Sequence, residues 1–138
     1  MNNIGFMAAL LVAALTALAP APAQADGPRP DVSKLPVSAN ATREQLLLGD
    51  RIFHGEAARG TCFRCHGWDG KGTAIGNDLT NGSLNWGETF AMIKATILNN
   101  MKLVPGQDGD LTAADVDAVN AYVWALVHQE RMALQAPK

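Results

Sequence analysis

Both cysteines of this 138-residue chain fall in one five-residue stretch, Cys62-Phe63-Arg64-Cys65-His66, three positions apart and with an imidazole directly after the second. Two thiols at that spacing can each add across a vinyl group of one porphyrin, and the histidine that follows then lies beneath the iron. This is the c-type haem attachment pattern. Other uses of C-x-x-C fit less well. A structural zinc site needs four ligands, normally a second C-x-x-C or a closely spaced histidine pair, and His54, His66 and His128 lie far apart. A thioredoxin-like pair belongs at the mouth of a strand–helix unit, whereas a helical pattern and a glycine-containing turn precede Cys62. A disulfide would close too small a loop to stabilise much. The motif therefore predicts one covalently bound haem c per chain, with Cys62 and Cys65 as thioethers and His66 as an axial iron ligand.

The amino end points to export. Ile4 to Ala19 is an almost unbroken apolar run, and Ala23-Gln24-Ala25 precedes Asp26. Residues 1–25 read as a secretory signal peptide with an A-x-A cleavage site, although Met1-Asn2-Asn3 brings no Lys or Arg. The alternative, an uncleaved membrane anchor, has a run shorter than the ~20 apolar residues that span a bilayer. A periplasmic location suits the motif, because haem is attached to reduced thiols outside the cytoplasm in bacteria. Every charged residue lies after Ala25, so the mature chain keeps the formal net charge of -2. No basic stripe suggests nucleic acid and no polybasic patch suggests a membrane surface. A partner that docks electrostatically is expected to present a basic face.

Residues 26–41, with Pro28, Pro30 and Pro36, read as an extended and loosely attached linker. A single domain is expected over 42–130, followed by a short tail, 131–138. Thr42 and Gln45 form a capping box for a first helix, whose buried side draws on Leu46, Leu47, Leu48, Ile52 and Phe53. Gly49 inside it costs about 1 kcal/mol relative to alanine, which implies close contact with another helix. The glycine-rich stretch from Gly67 to Leu79 suggests a loop wrapped close to something flat, with Trp68 either on the porphyrin or covering the surface. A third segment, Glu88 to Asn99, has Phe90, Ile93 and Ile97 at helical spacing, with Met92 expected in the core. Trp86 just before it is either an indole donor to a haem propionate or a partly buried core residue. The last helix starts at Thr112 with Asp115 in the capping position. Its apolar face is Val116, Val119, Val123 and Leu126 or Val127, with Tyr122 and Trp124 on the flanks. No segment alternates with strand period, so the fold is all-α.

In this order, the Gly49-x-x-x-Phe53 helix, Cys62-x-x-Cys65-His66, the Gly76-x-Asp78-Leu79 loop and a last helix containing Ala121-Tyr122-Val123 resemble the class I cytochromes c. The resemblance covers Thr42 to His128. It implies a small fold in which the first and last helices cross, Gly49 against Tyr122, with haem enclosed by helices and loops. The family loop usually carries a proline whose carbonyl accepts the N–H of the ligand imidazole. Asn77 stands there, and its backbone carbonyl is expected to take that role toward His66.

The family's second axial ligand is usually a methionine followed by proline. Here Val104 precedes Pro105, and Met101 is the nearest candidate, placed by the sequence in irregular chain after the third helix. The competing reading of Met101 is an ordinary apolar filler. His54 and His128 are weaker candidates, and Met132 is expected beyond the last helix. With iron saturated by imidazole and thioether, the resemblance implies an exported electron carrier without catalytic residues. It would serve periplasmic redox proteins, freely or as the haem subunit of a dehydrogenase or oxidase, with membrane contact only through a partner or an uncleaved signal. The alternative, motivated by Val104, is a five-coordinate haem protein that binds a small gas or reduces peroxide.

Overall fold

Thr42 turns an extended chain into the first helix. Its hydroxyl accepts the Gln45 N–H at 3.2 Å, while the Gln45 side-chain oxygen accepts the Thr42 N–H at 2.9 Å. This reciprocal cap opens α1, Arg43–Phe53, in a computed structural model that describes residues 27–102 and 111–135. Three helices follow: α2, Cys62–His66; α3, Phe90–Met101; and α4, Ala113–Gln135. Among the described residues there are no strands, and the only other helical element is a short 3-10 turn, Val32–Lys34. The fold is all-α, consistent with the small fold that the resemblance implies.

The core is the contact between α1 and α4. A Cβ on Gly49 would lie 1.9 Å from the Ala118 carbonyl oxygen and 2.9 Å from the Tyr122 Cβ. No side chain fits there, so the two backbones touch. Leu46, Ile52 and Phe53 of α1 then bury against Val119, Tyr122 and Leu126 of α4. Phe53 and Tyr122 bring their ring centroids to 5.2 Å. Tyr122 is fully buried and therefore central to the helix face, not on its flank as its place in the pattern suggested.

The α4 start repeats the capping device. The Thr112 N–H donates to Asp115 Oδ2 at 2.8 Å and the Asp115 N–H to Thr112 Oγ1 at 3.2 Å. The helix runs to Gln135, so the expected tail begins inside it and position 132 is helical. Thr89 caps α3 by accepting the Met92 N–H at 3.2 Å. Ile93 is buried against α4, and Asn120 of α4 donates to the Phe90 carbonyl at 3.0 Å. Met92 is one position and about 100° around the helix from Ile93. It is therefore 49 % exposed and not core, its thioether lying over Gly87.

The proline-containing segment is not loose. Leu35 and Ser38 are buried, and Arg43 donates to the carbonyls of Val32 and Leu35, each at 3.1 Å. Arg29 grips Asp50 of α1 through two hydrogen bonds, 2.6 and 3.0 Å, and also pairs with Glu56. One leucine and one arginine thus anchor a stretch whose prolines otherwise signal a linker. The expected signal peptide, residues 1–25, and the Val104-Pro105 pair lie outside the described residues. Among those described, no helix is long and apolar enough to cross a membrane.

The α1–α4 contact gives a direct test. Gly49→Ala is expected to cost about 2–3 kcal/mol through overpacking, despite alanine's better helix propensity. Chemical denaturation of the two proteins side by side measures it, and equal midpoints would show that the helices do not meet at Gly49.

Candidate functional site

Gly60 brings the chain back onto α1. A Cβ there would lie 1.8 Å from the Ile52 carbonyl oxygen, so the backbone passes directly over α1 before α2 begins. A single turn then presents Cys62, Cys65 and His66 at i, i+3 and i+4, neighbours on one helix face. Gly67 ends it at a φ of 79°, a left-handed value that glycine adopts without penalty.

All three residues line one cleft, a cavity of about 120 Å³ whose other walls are Phe53 of α1, Leu79, Ile97 and Met101, with Val119 and Val123 of α4. A second cleft shares Leu79, Ile97, Asn100 and Val123 with the first and extends past Leu84 to Asn77 and Trp86. Sharing these walls, the two clefts lie side by side as a slot between α2, α3 and α4, with mainly apolar walls.

The orientation of His66 is set by its backbone partner. Its Nδ1 lies 2.9 Å from the Asn77 carbonyl oxygen. A carbonyl only accepts, so Nδ1 carries the proton and the Nε2 lone pair is left over. The loop that supplies Asn77 is fastened to α2 at several points. The Gly72 N–H donates to the His66 carbonyl at 2.7 Å, and Thr73 Oγ1 donates to the Cys65 carbonyl at 2.6 Å. A Cβ on Gly76 would lie 2.3 Å from that same Cys65 oxygen. Gly76 is thus explained by contact with the α2 backbone.

The family model for cytochrome c oxidase, cbb3-type, subunit III, matches residues 51–123. This chain belongs to that cytochrome c family. No curated protein and no solved structure matches it. Membership brings a covalently bound haem c and a haem-based role in electron transfer.

The residues present in this cytochrome suit that group. Two thiols and an imidazole of fixed tautomer open onto one mainly apolar cleft, and a thioether lines it as well. Burial pushes the Cys62 thiol up to about 11, so its sulfur is uncharged and suited to an apolar wall. Among the described residues no cluster of three or more His, Cys, Asp or Glu could hold a metal ion.

Met101 is the last residue of α3. The helix itself, not the irregular chain after it, brings this side chain to the cleft. His54 and His128 are engaged elsewhere. The His54 ring lies between the carbonyls of Asp50 and Trp68, and His128 stacks on Trp124 at 4.1 Å with Nδ1 at 2.8 Å from the Trp124 carbonyl. Trp68 packs edge-on against His54 and Phe63, at 4.6 and 5.3 Å, which gives its ring protein neighbours. Trp86 is 75 % exposed at the rim of the second cleft, so the core reading of it fails.

Asn100 and Thr61 also line the site, and neither carried a sequence signal. Asn100 follows Ile97 by three residues on α3, so helix geometry places both on one face once the helix is known to continue through Met101.

Gly76→Ala is expected to push the loop off α2. Stability should fall by on the order of 1–3 kcal/mol, and the His66 Nδ1 proton should exchange with solvent faster. An unchanged exchange rate by NMR would show that Gly76 does not hold the Asn77 carbonyl in place.

Proposed function

We propose that this chain is an exported mono-haem c-type cytochrome that passes single electrons between periplasmic redox partners, either as a free carrier or as the haem subunit of a dehydrogenase or oxidase. One observation carries the reading: His66, with its Nδ1 proton committed to Asn77, and Met101 line the same cleft. When bound, haem supplies reversible one-electron chemistry.

Each side chain has a defined task in that account. Cys62 and Cys65 would hold the group covalently, and His66 would offer Nε2 to the iron. The hydrogen bond to Asn77 keeps the imidazole from rotating and raises its basicity. Met101 would offer the iron a soft thioether, a ligand that raises the potential. Phe53, Leu79, Ile97, Val119 and Val123 exclude water from the slot. The exposed Trp86 at the rim would offer its indole N–H as a donor to a haem propionate.

Iron held by both the imidazole and the thioether would have no open position, which favours electron transfer over gas binding or peroxide reduction. The single C-x-x-C-H supports one haem per chain. The apolar run and A-x-A site before Asp26 support export. The description of the matching family names an oxidase subunit, which supports the second of the two forms.

Absorption spectra of the oxidised and reduced protein, with and without carbon monoxide, test the reading. The expected spectrum is low-spin and six-coordinate, with a weak far-red sulfur-to-iron band and no response to carbon monoxide. Met101→Ala should abolish that band and open the iron to carbon monoxide. A high-spin wild-type spectrum that shifts on adding the gas would instead establish a ligand-binding protein.

A further inference from the structure

We propose that His54 is a positioning residue of this cytochrome: held as an imidazolium between Asp50 and the Trp68 carbonyl, it fixes the turn that follows His66 and couples the haem site to pH. The His54 side chain has no solvent exposure. Its Nδ1 lies 2.8 Å from the Asp50 carbonyl oxygen and 3.1 Å from Asp50 Oδ1, and its Nε2 lies 2.9 Å from the Trp68 carbonyl oxygen. All three partners are acceptors. A neutral ring has one N–H, so one of its nitrogens would face an oxygen lone pair at under 3 Å. Only the doubly protonated ring satisfies both sides.

The surroundings are built for that charge. Asp50 faces the ring from one turn earlier on α1 and is itself gripped by Arg29 from the preceding segment, while Glu56 balances Arg29. From α4, Tyr122 packs edge-on to the ring at 5.8 Å. Burial and the Asp50 charge push its phenol upward, so it stays neutral. Phe53 and Trp68 complete the enclosure, at 5.0 and 4.6 Å. Burial pushes His54 down, but the hydrogen bonds to Asp50 and to the two carbonyls outweigh it and leave His54 above the usual histidine range, with Arg29 opposing. Burial likewise pushes Asp50 up, and the hydrogen bonds from His54 and Arg29 outweigh it and hold Asp50 below the usual carboxylate range.

The sign of the linkage follows. The His54 contribution is complete below the usual histidine value and is lost as pH rises through its elevated one. The Asp50 contribution is present above the usual carboxylate value and is lost as pH falls through its depressed one.

Trp68 lies two residues beyond His66, inside the turn closed by the Gly72 N–H on the His66 carbonyl. His54 therefore holds this turn from the α1 side while Asn77 holds the His66 ring from the loop side. Removing the proton releases one of these contacts and withdraws a buried positive charge. Both changes act on the haem site, and loss of positive charge favours oxidised iron.

The redox half of this inference rests on the function proposed above, and the experiment separates the two. Nitrogen-15 NMR of the reduced, haem-loaded protein at pH 7 should show protons on both His54 ring nitrogens; one bare nitrogen would overturn the proposal. In Asp50→Asn the His54 titration should move down by at least about one pH unit, and an unmoved titration would overturn the role of Asp50. The midpoint potential of the wild type should fall as pH rises through the His54 titration, and His54→Gln should lack that step. A step that persists in His54→Gln overturns the coupling. If His54→Gln does not fold, Asp50→Asn decides, because its step must move with its titration. A chain isolated without covalent haem would overturn the function proposed above and the redox half of this inference, while NMR still reads the charge on His54.

Discussion

The close approach of α1 and α4 at Gly49 is the contact on which the rest of the molecule depends. Because a backbone carbonyl occupies the space a side chain would need, α1 and α4 are locked in register at that point. Phe53, one turn after Gly49, then reaches the same cleft as Val119 and Val123 of α4. The wall of the haem slot is therefore a consequence of one missing methyl group. His54, the residue that ends α1, is delivered by the same geometry to the back of the turn that follows α2.

The single turn of α2 is too short to be stable alone. It persists because neighbours fasten it from several directions. Gly60 presses the incoming chain onto Ile52, Gly76 presses the outgoing loop onto Cys65, and Thr73 and Gly72 bond its last carbonyls. The Asn77 carbonyl holds the His66 ring on one side, and the His54 ring holds the Trp68 carbonyl on the other. Sites held to catalytic or ligand-binding precision need supporting contacts of this kind. Here nearly all of them end on backbone carbonyls, which side-chain identity does not reveal.

That distinction decides what the amino-acid sequence disclosed. Features that act through side-chain type and spacing were legible. They include the capping boxes at Thr42 and Thr112, the apolar face of α4, the glycine in α1 and the cysteine–histidine motif. Features that act through the path of the backbone were not. Nothing local in the sequence reveals that Gly76 meets the Cys65 carbonyl. Arg29 looked like part of a linker because its partners, Asp50 and Glu56, are 21 and 27 residues away. Met92 and Tyr122 were misplaced for a simpler reason. A one-residue shift around a helix is about 100°, enough to exchange a buried for an exposed position.

On the function proposed above, Met101 shows how the fold absorbs a departure from the family pattern. A methionine beside proline would present its thioether from irregular chain, whose position depends on many soft backbone angles. In this chain α3 continues through Met101, so the side chain is placed by regular helical geometry and by the packing of Ile93 against α4. Ile97 and Met101 lie one turn apart on a single helix face and both line the cleft. A side chain carried on a packed helix has little freedom to shift. Small reorganisation on gaining or losing an electron is the property a one-electron carrier requires.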